Sequence, residues 1–284
     1  VAAQLSAQGE TTLSDRIGAL LQRLERPYPS LVRLAFDVHD TDEEPFEFTP
    51  GQYVRIGYED EEPRVYSVAS SPNEDEVQLC IRRVPGGELT PVLCDEVTVG
   101  DELFVRGPYG DELELGEPAD TDPVFVATGT GVAPLRSMIR YLFEEGHDVH
   151  DGTERDVWLF LGAAWEDHLP YREEFRELAA EHENFHPVFT LSRESYLTDW
   201  DGETEYVQHS LLKYLDPERV EDGGLPEEYA SFVGTETHAD VGARLDPERM
   251  ELYVCGIGAM CDSVRSVAEA LGVDERRYEE ESYG

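Results

Sequence analysis

Lysine is almost missing from this sequence: Lys213 is the only one. Basic residues number 22 against 63 acidic ones, a formal net charge of 22 − 63 = −41. Phosphate backbones and anionic membrane surfaces repel such a chain, which argues against nucleic acid and membrane partners. No apolar run approaches the roughly 20 residues of a membrane span. The four cysteines, Cys80, Cys94, Cys255 and Cys261, are too few and too scattered for a disulfide framework. None forms a Cys-x-x-Cys pair, so neither zinc nor an iron-sulfur cluster is expected. The N-terminus lacks a basic stretch followed by an apolar one, so no secretory leader is expected.

What is present in their place is acid, spread along the whole chain. Blocks such as Asp42-Glu43-Glu44 and Glu59-Asp60-Glu61-Glu62 stand in turn-like places between apolar segments and read as a solvated surface. Exchanging lysine for carboxylates lowers exposed apolar stem area and raises hydration, which suits concentrated salt, where repulsion is screened. A halophile's cytoplasmic protein is the expectation; an acidic mesophile protein satisfies the same composition.

At 284 residues the chain has room for two ordinary domains. Residues 1–30 read as an N-terminal helical extension: Ser14 can cap it, Ile17, Leu20, Leu21 and Leu24 form one face, and Pro27 and Pro29 stop it. Over 31–117 the pattern changes to short period-two runs broken by Thr49-Pro50-Gly51, Pro85-Gly86-Gly87 and Gly107-Pro108-Tyr109-Gly110. That spacing predicts a small antiparallel β-barrel domain. Over 118–284 apolar strands alternate with amphipathic helices, predicting an α/β domain with a doubly wound parallel sheet. The acidic stretch Asp216 to Met250 reads as a surface excursion.

Chemistry enters at Arg64-Val65-Tyr66-Ser67. In a strand Arg64 and Tyr66 point one way and Ser67 the other. A guanidinium for phosphate, a ring for stacking and a hydroxyl nearby match a flavin dinucleotide. An ordinary strand with a solvated arginine and a core tyrosine fits these four residues equally well. After the apolar run Val124 to Ala127 comes Thr128-Gly129-Thr130-Gly131-Val132-Ala133-Pro134, where glycines admit a pyrophosphate to a helix start. Alone it is also a plain tight turn. Ser192-Arg193 follows a strand ending at Leu191, where a doubly wound sheet opens its crevice. With Tyr206 it suits a ribose 2′-phosphate and adenine; a helix cap with a solvated arginine is the alternative. Cys255, at a strand end before Gly256, reads first as buried filler.

Taken together these segments resemble the plant-type ferredoxin-NADP reductase family from Leu31 to Tyr283. The resemblance rests on RVYSVASSP (64–72), LCIRR (79–83), GPYG (107–110), ATGTGVAPLRS (127–137), WLFLG (158–162), PYREEF (170–175), LSRE (191–194), YVQ (206–208), YVCG (253–256) and ESY (281–283). It implies an FAD-binding barrel followed by an NADP-binding domain. It places Arg64 on the FAD pyrophosphate, Tyr66 against the flavin and Ser67 near N5. Cys80, Ile81 and Arg82 would line the adenosine side, and Thr90 would stand where the family has a phosphate-contacting serine. On the second domain the resemblance puts Thr130 and Gly131 at the NADP pyrophosphate, Ser192, Arg193 and Tyr206 at the 2′-phosphate end, and Gln208 at the adenine. Cys255 and Glu281 would flank the nicotinamide, and Tyr283 would cover the flavin.

Three departures from the family's pattern stand out. Thr204 stands where plant members carry lysine, Gly284 follows the tyrosine that ends their chains, and the excursion is longer. The expected activity is hydride exchange between NADPH and FAD, with single electrons passed to a separate ferredoxin or flavodoxin. An NADH-using reductase component of an oxygenase system and a non-catalytic flavin-binding electron-transfer subunit are the alternatives.

Overall fold

The computed structural model describes residues 17–28, 30–39, 46–59, 61–193, 199–220 and 224–283. The first unit is a six-stranded antiparallel sheet of β1 (Ile17–Tyr28), β2 (Leu31–His39), β3 (Tyr53–Gly57), β4 (Arg64–Ser67), β5 (Val77–Arg82) and β6 (Glu102–Tyr109), with α1 (Leu89–Asp95) between β5 and β6. Its order is β4-β3-β6-β1-β2-β5, and a bridge between Val68 and Leu79 joins the two ends, closing a barrel. Closure leaves no free edge over that stretch.

The expected N-terminal helix is corrected: 17–28 is strand β1, inside the barrel between β6 and β2. The spacing that imitated a helix comes from a β-bulge. Ala19 and Leu21 face the core, the register against β2 shifts between Leu21 and Arg23, and Leu24 then packs against the same core. An extra residue in a strand flips the side-chain phase, so period two becomes a local period of three. Pro27 sits at a second register shift, where its missing N–H breaks no ladder bond. The barrel therefore begins before residue 31, and Ser14 lies outside the described residues.

The second unit contains β7 (Asp122–Thr128), α2 (Val132–Glu144), a short hairpin of β8 (Val149–His150) and β9 (Thr153–Glu154), β10 (Val157–Ala163), α3 (Arg172–Glu181), β11 (Phe185–Leu191), α4 (Val207–Lys213), α5 (Glu227–Ala230), β12 (Met250–Ile257), α6 (Gly258–Ala270) and β13 (Tyr278–Tyr283). Five of the strands form a parallel sheet ordered β11-β10-β7-β12-β13. The order runs outward in both directions from β7, so the switch point lies between β7 and β12, where such sheets open a crevice at the carboxyl ends. Val124, Phe125, Val126 and Ala127 are fully buried, as a strand covered on both faces requires. One apolar layer packs under α2 and α3 and continues into the barrel through Leu31, Ala69, Cys80 and Leu113. The other lies under α4 and α6.

The 216–250 stretch is more than a surface excursion. Leu225 and Leu245 are buried in the α4/α6 layer, with Tyr229, Phe232 and Val233 packed against it, while Glu218, Glu227, Glu228, Glu236, Asp240 and Glu248 are exposed. No helix among the described residues is long and apolar enough to cross a membrane.

Candidate functional site

On the barrel, β4 presents Arg64 and Tyr66 toward α1. The Arg64 guanidinium reaches Glu88, just before that helix, at 3.0 Å, and Glu62 at 3.0 Å. The Tyr66 hydroxyl is buried and has no hydrogen-bond partner among the described residues. Burial pushes it up, and Cys94 of α1 lies near enough to add to the shift. An orphaned hydroxyl beside a half-exposed guanidinium fits a polar, anionic ligand laid along β4. Ser67 stands opposite Tyr53 in the ladder and is half-buried. The Thr90 hydroxyl is engaged locally, accepting the Val84 N–H at 3.0 Å.

Along β5 the expected row divides. Cys80 faces the second unit, and burial pushes its thiol up to about 12. Ile81 lies inside the barrel, and Arg82 is exposed. Of the three side chains only Arg82 is exposed to a ligand, which leaves Cys80 and Ile81 their backbone groups alone.

The carboxyl ends of β7, β12 and β13 meet. A 3₁₀ turn, Gly129–Gly131, leads from β7 into α2. A Cβ on Gly131 would collide with the Cys255 carbonyl oxygen and come within 2.6 Å of the Tyr283 hydroxyl, so only glycine fits. One on Gly256 would come 2.5 Å from the Thr128 hydroxyl, itself buried without a partner among the described residues. Cys255 is buried, and burial pushes its thiol well up, with Glu281 beside it adding to the shift. Glu281 pairs with Cys255 in the β12–β13 register, and its Oε2 is buried and unpartnered among the described residues. Burial, then the charge of Glu112, pushes its carboxyl up to about 7. Tyr283 is 39% exposed, yet its hydroxyl turns inward. Burial and Cys255 push that hydroxyl well up against a hydrogen bond with the Thr130 side chain.

This cluster faces the barrel. Burial, Glu112 and Glu281 together push up the hydroxyl of Tyr53, the ladder partner of Ser67. Ser67, Cys255, Glu281 and Tyr283, expected from the sequence to act together, thus lie around one junction of the two units. A buried carboxyl that titrates near neutrality beside glycine-lined backbone can hold or release a proton there.

At the other end of the crevice, Ser192 donates its N–H to Ala163 at 2.9 Å and its hydroxyl to the same carbonyl at 3.4 Å. Arg193 is exposed, and Tyr206 is 62% exposed in front of α4, which carries Gln208 in its first turn. Exposed aromatic and cationic side chains on one rim fit an adenosine phosphate, whereas the bonds from Ser192 to Ala163 tie it to the end of strand β10 and are not helix-capping bonds.

Sequence reasoning missed two kinds of residue. Trp165 and Ile257, 42% and 55% exposed, stand at the carboxyl ends of β10 and β12; their positions at the ends of parallel strands were the available signal. Glu203 and Lys213 left no signal. The Glu203 side chain is 0% exposed and accepts from Lys213 Nζ at 2.5 Å, the Tyr214 hydroxyl at 2.7 Å and the His238 N–H at 2.7 Å. Burial raises this carboxyl, but the Lys213 hydrogen bond and the other donors outweigh it and hold it below the ordinary value. The chain's one lysine is therefore internal, tying the 216–250 stretch to the turn that carries Tyr206.

Comparison with known proteins gives a family to this arrangement. Residues 23–112 match the model of an oxidoreductase FAD-binding domain, and 125–266 that of an oxidoreductase NAD-binding domain. The start of the first match inside β1 agrees with that strand's place in the barrel. Ferredoxin–NADP reductase B of Sorangium cellulosum is 32% identical over 265 residues, covering 91% of this chain and 94% of the relative. The phenol hydroxylase P5 protein of Acinetobacter pittii is 33% identical over 174 residues, covering 61% of this chain and 47% of the relative. The chain spans about half the length of several relatives, including 54% of the cyanelle ferredoxin–NADP reductase of Cyanophora paradoxa. Among solved structures, a ferredoxin NADP+ reductase from Neisseria gonorrhoeae with bound FAD and NADP superposes with a TM-score of 0.70 at 18% identity, covering 94% of this chain and 98% of that one. An Amycolatopsis cytochrome P450 reductase gives a TM-score of 0.71 at 24% identity, covering 94% and 69%. These structures carry the fold, and the Sorangium match carries the kinship: the chain belongs to the ferredoxin–NADP reductase family.

Proposed function

We propose that this protein is a flavoprotein reductase that exchanges a hydride between NADPH and FAD and single electrons with a separate ferredoxin or flavodoxin. The observation that carries the reading is the meeting of Gly131, Cys255, Glu281 and Tyr283 at the carboxyl ends of β7, β12 and β13, on the side turned to the barrel. FAD, when bound, takes electrons as a pair and releases them singly, which is what links a nicotinamide to an iron-sulfur protein. Arg64 would hold its pyrophosphate and the orphaned Tyr66 hydroxyl would gain a partner. Gly131 and Thr130 would admit the nucleotide's pyrophosphate, and Arg193 with Tyr206 would grip the adenosine 2′-phosphate. Glu281 would keep a proton near the reacting groups without burying a full charge, and Tyr283 would exclude water from the junction.

Electron-transfer relatives, among them the Sorangium reductase, support the ferredoxin partner by name. The formal net charge of −41 supports a cytoplasm rich in salt. The test of cofactor choice is Arg193→Leu: the Michaelis constant for NADPH should rise strongly while that for NADH stays nearly unchanged, because only NADPH carries the phosphate. Equal losses with both nucleotides would make Arg193 structural.

A second reading, the NADH-using reductase component of an oxygenase system, is favoured by Thr204 in the lysine's position and by the likeness to the Acinetobacter protein. A wild type that already prefers NADH would promote it.

A further inference from the structure

Two of the motifs quoted above, ATGTGVAPLRS and PYREEF, contain side chains that neither cofactor accounts for, and they meet at the junction between the two units. Arg136 of α2 is 5% exposed, a costly place for a guanidinium unless its donors are satisfied. Its Nη1 donates to the Ala69 carbonyl at 2.5 Å and to Glu74 at 3.1 Å, both on the barrel, while its Nε donates to Glu174 of α3 at 2.8 Å. Ala69 lies just past Ser67, and its N–H is bonded to the Gln78 carbonyl at 2.7 Å. One guanidinium thus spans from the helix that follows the Gly129–Gly131 turn to the chain that follows Tyr66 and Ser67.

Tyr171 completes the joint. Two guanidiniums lie over its ring, Arg136 4.9 Å and Arg33 5.2 Å from the centroid, and its hydroxyl donates to Gln78 of β5 at 3.0 Å. Its backbone is left-handed, with φ of 59° at the start of α3. For a bulky side chain that conformation costs energy and persists only where the surroundings fix it. Further along α2, Glu144 accepts from Ser71 at 2.5 Å and Glu145 accepts from Asn73 at 2.8 Å. Arg136, Arg140 and Glu144 of α2, with Glu145 at its end, are therefore all bonded to the 69–74 segment.

We propose that Arg136 and Tyr171 are positioning residues for hydride exchange: they lock the nucleotide-binding unit onto the barrel at one angle, and so set how the Cys255, Glu281 and Tyr283 cluster faces the strand carrying Tyr66 and Ser67. The inference rests on the NADPH and FAD reading given above. The lock touches none of the side chains that grip phosphate, Arg64 on one side and Arg193 with Tyr206 on the other, so its loss misaligns the reacting groups while both cofactors still bind. Misplacement by about 1 Å costs such reactions on the order of a hundredfold in rate.

The test uses the full chain with FAD, as wild type, Arg136→Lys and Tyr171→Phe. Lysine keeps the charge but cannot span the Ala69 carbonyl and Glu174 together. Phenylalanine keeps the ring and drops the bond to Gln78. Each protein is mixed anaerobically with saturating NADPH and flavin bleaching is followed in a single turnover. NADP+ affinity, FAD content and proteolytic cleavage between Tyr109 and Asp122 are measured on the same samples. The expected result for Arg136→Lys is a limiting rate lower by about tenfold or more, with NADP+ affinity and FAD content as in wild type and faster cleavage of the connecting segment. Tyr171→Phe should show a smaller change of the same kind. Wild-type limiting rates in both variants overturn the proposal, as does a parallel fall of rate, NADP+ affinity and FAD content. A wild type that NADPH does not bleach overturns the functional reading and the positioning role with it; cleavage at the wild-type rate in both variants then overturns the lock as well.

Discussion

Glu281 brings chemistry and stability into one side chain. In the unfolded chain its carboxyl ionises near the ordinary 4.5, and in the fold near 7, pushed up by burial and then by Glu112. Between those two values the folded protein holds a proton that the unfolded chain has released, so this group's contribution to stability is fully present at low pH and is lost as pH rises toward 7. Glu281→Gln removes the titration. The melting temperature of the variant should match wild type near pH 4 and exceed it at pH 8, and a gap that stays constant with pH would contradict the buried carboxyl. Lys213 makes the opposite case. Lys213→Met leaves the fully enclosed Glu203 carboxylate without its cation, which should cost about 3–5 kcal/mol in denaturant unfolding; a loss below about 1 kcal/mol would mean the pair is solvated. At this scale the sequence was legible where a residue belongs to a run of motif, as at Gly131, whose close approach to the Cys255 carbonyl admits only glycine. It was silent at Lys213 and Glu203, because a buried ion pair is made by chain segments that meet only in the fold.

Strands β7 and β10 could be read directly from Val124 to Ala127 and Val157 to Leu161, since a strand covered on both faces has no reason to alternate. The same logic misread β1, where a bulge between Leu21 and Arg23 put Leu21 and Leu24 on one face at helical spacing. Edge strand β13 was equally hidden: Glu279, Glu280 and Glu281 carry no apolar signal, and its place beside β12 is set by backbone pairing. The position of β1 between β6 and β2 makes it indispensable to the barrel. Leu21→Ala should therefore cost about 2–5 kcal/mol, the range for a fully buried leucine. A helical extension lying outside the barrel would lose far less, and a cost below about 1 kcal/mol would argue for it. The 216–250 stretch shows why composition alone mislabels a segment: Glu227, Glu228 and Glu236 face water, while Leu225, Phe232 and Leu245 point into the layer beneath.

Over the whole molecule, like charges repel within reach of the screening length, about 10 Å at 0.1 M salt and about 3 Å at 1 M. With a net charge of −41, the melting temperature should climb up to and beyond molar salt. A flat profile across that range would defeat the halophile reading and leave only an acidic protein. The order of the two units, barrel first and parallel sheet second, was legible because side-chain periodicity changes near residue 118. The angle between them was not, since it depends on Arg136, Tyr171 and the 69–74 segment meeting across that boundary. The central claim, that this junction passes electrons from a nicotinamide to a flavin, is tested most directly by adding NADPH without oxygen to the purified protein and recording its visible spectrum. The account predicts a yellow protein with about one FAD per chain, as expected where Arg64 makes a charge-assisted grip on phosphate, bleached by NADPH faster than by NADH. A colourless protein that takes up no flavin, or a yellow one that neither nucleotide bleaches, would contradict it.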